Sequence, residues 1–309
     1  MSRESQFLLI GLQGAGKTTF LAALWHVVEA GKHPSALLLD RLDGNSRYLN
    51  TIRKDWLEFR KVPRTTQESE RVVSMRLKSQ QTAEKVVLNF PDLSGESFEQ
   101  QWTDRQWKRT YKELLEAASG GLLFINPESV KSSVRIDEAD SILAELEDIS
   151  EQGEAAVSLP SQERGEEGAI DESVAWDKKR SPTQVQLVEI LQFIEASRFQ
   201  KGPFKIAVVI SAWDRVGDQN LEPADWVARN LPLLSQFLKT NEGAFRFEFF
   251  GLSAQGGVYA LDASQNQNVD SDPLDEPLAD IDPTQRVKVV GNSVDDANDI
   301  TTPIKWLMR

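Results

Sequence analysis

The chain has no cysteine, which excludes disulfides, thiol nucleophiles and thiolate metal sites. Histidine is nearly as scarce. His26 and His33 are the two in 309 residues, too few for a histidine-built metal centre, so any metal expected here is a hard ion bound by oxygen. Long apolar runs are also missing. The run from Phe7 to Leu12 lacks the basic flank, the length and the cleavage site of a secretory signal. No window approaches the roughly 20 apolar residues of a membrane span. A cytoplasmic chain without a membrane span is expected, and an apolar content of 40% is ordinary for a fold with a real core.

Basic residues are in deficit, with a net charge of -13, which argues against nonspecific binding to nucleic acid or anionic membrane. No direct nucleic-acid partner is expected. The acidity is concentrated: residues 137–172 carry 13 acids against one base, and residues 262–299 carry 10 against two. Outside these segments the chain is mildly basic, which suits a phosphate binder. The expected organisation is one domain over residues 1–309, with an acidic insertion at about 130–181 and a polar acidic segment at about 262–299. Periodicity fails around Gly153, Pro160, Gly165 and Gly168, so the insertion is expected to be a mobile surface element.

The remaining segments alternate between two periods. Residues 6–10 read as a buried strand, followed by a glycine-rich loop and a helix beginning near Thr19. A helix over 45–61 stops at Pro63, and strands are expected at 71–77 and 85–90. A helix over 98–118 leads to a buried strand at 120–125. After the insertion come a helix from Thr183, a strand at 204–211, a helix at 224–239 and a strand at 245–252. Residues 303–308 read as a short apolar piece docking on the domain. This alternation predicts an α/β fold with a mainly parallel sheet and helices on both faces.

The loop Gly11-Leu12-Gln13-Gly14-Ala15-Gly16-Lys17-Thr18 fits Gly-x4-Gly-Lys-[Ser/Thr] in full, between a strand and a helix. Gly14 and Gly16 let the backbone curl so that successive amides face one point, and the helix N-terminus adds positive potential. Lys17 is expected on the β- and γ-phosphates, Thr18 on Mg²⁺, and Thr19 completes the phosphate-binding set. Asp92-Leu93-Ser94-Gly95 follows an apolar strand, where Asp92 can hold a Mg²⁺-bound water and the Gly95 amide can sense a γ-phosphate. Together these predict the three-layer αβα fold of P-loop NTPases.

Two further strings follow strands: Ser211-Ala212-Trp213-Asp214 and Ser253-Ala254-Gln255. With them the chain resembles P-loop GTPases of the translation-factor-related (TRAFAC) class, which read guanine with [Asn/Thr]-Lys-x-Asp and brace it with Ser-Ala-[Lys/Leu]. The resemblance implies GTP and GDP as ligands with Mg²⁺, Asp214 accepting from the guanine ring N–H and NH₂, and Ser253 and Ala254 bracing the base. Ser211 and Ala212 stand where the class has Asn and Lys, which predicts a thinner base pocket. The class also places a threonine of its first switch before the second strand. Thr65 or Thr66 fits that place, and neighbouring Arg64 reads either as an arginine finger in cis or as an exposed loop residue. Glu96 stands where many relatives carry a water-positioning Gln or His, and Gln13 stands where dynamin-like relatives also have glutamine. Both can orient water or be solvated side chains.

Asp92-Leu93-Ser94-Gly95-Glu96, the helix beginning Pro182-Thr183-Gln184-Val185 and the terminal Trp306-Leu307 resemble the bacterial double-GTPase family of conflict and anti-phage systems. This implies a GTP-hydrolysing switch, slow without its partner, which would be a second GTPase or an effector encoded nearby. Two other readings are a nucleotide-binding assembly module with little hydrolysis and an ATP-using P-loop enzyme.

Overall fold

The computed structural model describes residues 4–31, 33–34, 36–44, 46–60, 73–82, 84–91, 96–132, 181–198, 201–216, 221–257 and 281–309. Its centre is strand β1 (Ser5–Ile10), flanked in parallel by β4 (Lys85–Phe90) and β5 (Gly120–Ile125). The parallel set continues through β6 (Phe204–Ser211) and β7 (Phe245–Ser253). Antiparallel pairings close both edges, through β3 (Val73–Lys78) and then β2 (Leu38–Asp43) on one side and β8 (Lys288–Val290) on the other. The sheet order is β2-β3-β4-β1-β5-β6-β7-β8.

Strand pleating sends alternate residues of β1 to opposite faces. Phe7 and Leu9 join one buried cluster, Leu8 and Ile10 the other. The first face is covered by α1 (Lys17–Ala30), α2 (Ser46–Leu57) and a C-terminal helix at Thr302–Met308. The second carries α3 (Glu96–Asp104), α4 (Arg109–Ala117), α5 (Thr183–Ser197), α6 (Pro223–Asn230) and α7 (Pro232–Thr240). A short α8 (Pro283–Arg286) precedes β8, and the C-terminal helix is α9. With a central β-layer between two helical layers, this is the expected three-layer αβα fold of P-loop NTPases. No described helix is long and apolar enough to cross a membrane.

Helix α1 buries Phe20, Leu21, Leu24, Trp25, Val27 and Val28, each side chain contributing roughly 1.5–3 kcal/mol. It ends at Gly31, whose left-handed φ of 61° lets its amide donate to Val27 O at 3.1 Å. Two helices expected to be continuous are broken. The 98–118 helix splits at Arg105 (φ 51°), where the buried side chain of Gln101 accepts from Lys108 N at 2.8 Å and caps the second piece. The 224–239 helix splits at Pro232, which has no N–H to continue the ladder and instead starts α7.

Strand β2 was not expected from periodicity. Its register shifts between Leu39 and Arg41, and charged Asp40 and Arg41 interrupt the alternation. The described part of the acidic 262–299 segment contributes α8 and β8 to the fold. Lys131 and Thr183 are bonded twice, Lys131 N to Thr183 Oγ1 at 2.9 Å and Thr183 N to Lys131 O at 3.1 Å. The chain therefore leaves for residues 133–180 and returns at one point.

Candidate nucleotide site

Strand order reverses at β1, because one neighbour is reached through β2, β3 and β4 and the other through α3 and α4. Such a switch point opens a crevice at the carboxyl ends of the parallel strands. The glycine-rich loop lies there, directly after β1 and before α1.

Gly14 (φ 75°) and Gly16 (φ 89°) take left-handed conformations that other residues adopt only under strain. Gly16 is required on a second count: a Cβ there would stand 2.6 Å from Ser211 Oγ. Lys17 is 2% exposed, and its ammonium folds back over the loop, donating to Gly11 O at 2.7 Å and Leu12 O at 3.0 Å. The lysine charge is thus held beside the loop. Thr18 and Thr19 follow in the first turn of α1, half-buried.

Three neighbours grip the loop from outside. Ser211, at the end of β6, donates to Ala15 O at 2.9 Å, with Ile125 O at 3.3 Å as a second acceptor in reach. Asn126, just after β5, donates to Gly14 O at 3.0 Å. Glu99 of α3 accepts from Gln13 N at 3.2 Å. Sequence reasoning named Ser211 as a departure that thinned the base pocket, and it did not name Asn126 or Glu99. Asn126-Pro127 at the end of a buried strand was the available signal. A cavity of about 190 Å³ beside this side of the loop is lined by Leu12, Gln13, Glu99, Asn126, Thr183 and Leu187 among others.

Asp214 is exposed in a 3-10 turn, Trp213–Arg215, that leaves β6 through Ala212 in the left-handed region (φ 48°). Ser211 pairs with Leu252 across β6 and β7, so this turn adjoins the loop of Ser253 and Ala254. Ser253 Oγ accepts from Gly256 N at 3.1 Å, and Ala254 O accepts from Trp56 Nε1 at 2.9 Å. Ser253 and Ala254 are thereby fixed by their own loop and by α2. The fold brings residues 11–19, Asp214, Ser253 and Ala254 to one edge of the sheet. Arg64, Thr65, Thr66, Asp92 and Gly95 lie outside the described residues, and Glu96 opens α3 with its side chain outside them too.

A phosphate-type loop with a buried lysine, on a mainly parallel sheet between helical layers, defines a P-loop nucleoside-triphosphate-binding protein. Within that class the chain belongs to the Double-GTPase 1 family (DO-GTPase1), which it matches over residues 8–307. Membership carries guanine-nucleotide binding and GTP hydrolysis at the level of the family. No curated protein matches the chain.

Among solved structures, the chain is similar to bacterial selenocysteine-specific elongation factor EF-Sec at 12% identity and a TM-score of 0.33, covering 85% of this chain and 28% of that one. The Chaetomium thermophilum signal recognition particle receptor SRb-GTP/SRX complex gives 15% identity and a TM-score of 0.36, covering 82% and 92%. The S. cerevisiae Ski7 GTPase-like domain bound to GTP gives 13% and 0.35, covering 88% and 46%. The chain therefore spans little more than a quarter of EF-Sec, just under half of the Ski7 structure, and nearly all of the receptor chain.

Proposed function

We propose that this chain is a GTP-driven switch in which Mg-GTP orders the segments around Thr65 or Thr66 and Gly95, a protein partner engages that surface, and hydrolysis releases it. The carrying observation is the loop built around Lys17, joined through Ser211 to the turn that bears Asp214. In this reading residues 11–19 hold the phosphates, Asp214 accepts from guanine, and Ser253 and Ala254 form the wall beside it. Gln13, Glu96 and Arg64 face the γ-phosphate, where they orient water or neutralise developing charge. The partner is a protein, such as a second GTPase or an effector encoded nearby, in a bacterial conflict system. The chain acts as one domain.

The donor set suits magnesium. The chain has no sulfur ligand from cysteine, and among the described residues no three acids or histidines converge on a metal position. A divalent ion here would be held by Thr18, Asp92, Thr65 or Thr66 and phosphate oxygens, and would neutralise charge on the phosphates. Glu96 and the short base motif favour slow turnover in the absence of a partner.

Competition of fluorescent GTP and ATP analogues by GDP, GTP, ATP and XTP tests the reading. Guanine selectivity is expected, with binding abolished in Lys17→Ala; unchanged affinity in that variant excludes the phosphate-loop assignment. Asp214→Asn should shift preference from guanine toward xanthine, because an amide donates to the xanthine O2. A variant still selective for GTP removes Asp214 as base reader.

A further inference from the structure

We infer that Asn126 is a positioning residue for the phosphate loop, holding the Gly14 carbonyl from the end of β5. The inference rests on the nucleotide-site reading above. The Asn126 amide is oriented by two bonds of opposite sense. Its Oδ1 accepts from Glu128 N at 3.1 Å, capping the 3-10 turn Pro127–Ser129, and its Nδ2 donates to Gly14 O at 3.0 Å. Ser129 N and Oγ donate back to Asn126 O at 3.0 and 3.1 Å, so the turn locks the residue that grips the loop.

The grip matters because of peptide geometry. A trans peptide directs its C=O and N–H to opposite sides. With Gly14 O held outward by Asn126, the Ala15 N–H points across the loop, where it donates to Leu12 O at 3.3 Å. Ser211 does the same for the next peptide by holding Ala15 O, which directs the Gly16 N–H inward. Two consecutive amides are thus aimed by side chains from the ends of β5 and β6. Gly14 (φ 75°) has open space where a Cβ would stand, so packing there does not hold it in place. The same short turn reaches the base side, since Arg215 Nε donates to Glu128 Oε1 at 2.9 Å, one residue after Asp214.

The test uses the full chain with a fluorescent GDP analogue and Mg²⁺. Asn126→Ser keeps an oxygen to cap Glu128 N but is too short to reach Gly14 O; Asn126→Ala removes both. Both variants should release the analogue about three- to tenfold faster, as expected for one lost hydrogen bond. Amide exchange in a peptide covering residues 11–18 should rise in both, the preference for GDP over IDP should be unchanged, and Asn126→Ser should keep the wild-type Tm. Wild-type release and exchange in both variants overturns the inference, as does faster release confined to Asn126→Ala and matched by a lower Tm. A wild-type chain that binds no guanine nucleotide overturns the underlying reading, and that result comes before any variant is compared.

Discussion

Gly251 sits within β7 in register with Ile210, two residues before the strand ends, and its φ is not among the positive ones that call for glycine. A Cβ at this position would stand 2.4 Å from Cδ2 of Trp213 and 2.7 Å from Val290 Cγ2. Trp213 opens the turn that carries Asp214, so the missing side chain sets where that turn rests. Gly251→Ala should displace it and weaken guanine-nucleotide binding about tenfold, the lower part of the range expected when a packed site is overfilled. Competition titration checks this, with a phosphate-only ligand such as pyrophosphate expected to bind as before. Gly16 carries a comparable constraint against Ser211, but it was legible because it belongs to a motif. Gly251 was not legible, since its requirement comes from a side chain 38 residues away.

At the scale of elements, α3 and α5 hold the flank of the phosphate loop. Trp102 Nε1 donates to Glu189 Oε2 at 2.6 Å, Arg105 pairs with the same carboxylate, and Glu99 from the next turn of α3 reaches Gln13 N. The helix that follows Gly95 is therefore tied both to the loop and to the helix behind it. Arg198 performs a related task at the end of α5. Its guanidinium, pulled below its ordinary range by burial, donates to Leu115 O at 2.8 Å and to Ala118 O, fixing the chain just before β5. The paired bonds between Lys131 and Thr183 bring the ends of the acidic insertion together. Replacing residues 133–180 with a glycine-serine linker of about six residues should leave folding and GTP binding intact, with stability changing by no more than about 2 kcal/mol from the shorter loop closure. Loss of cooperative unfolding in that variant would place the insertion within the folding unit.

For the whole molecule, the last residues close the first helical layer. Asp299 is fully buried and accepts from Thr301 N at 2.9 Å, Thr301 Oγ1 at 2.6 Å and Lys305 Nζ at 2.7 Å. Thr301 Oγ1 in turn accepts from Leu37 N at 3.1 Å, so the C-terminal segment is fastened to the start of β2. Ile304 and Leu307 then fill the cluster beneath, and Lys205 Nζ reaches Leu307 O at 3.2 Å. Asp299→Ala should cost about 3 kcal/mol, because it leaves the Thr301 donors and the Lys305 charge without their common acceptor. Urea unfolding measures it; a loss below about 1 kcal/mol would mean that water replaces the carboxylate.

The sequence by itself determined the class of fold, the phosphate loop and most of the strands. Each of these depends on local chemistry: glycines that permit positive φ, a lysine at fixed spacing, and apolar runs of strand length. It also pointed to Asp214, Ser253 and Ala254 as candidates, because their strings stand at the ends of buried strands. Only the tertiary structure decided strand β2 with its bulge and the outer grip of Glu99, Asn126 and Ser211 on the loop; the break at Pro232 was written in the sequence, since proline has no N–H to continue a helix. The reason is physical. A carbonyl held by a side chain 112 residues away is set by contacts between segments whose register no local pattern encodes.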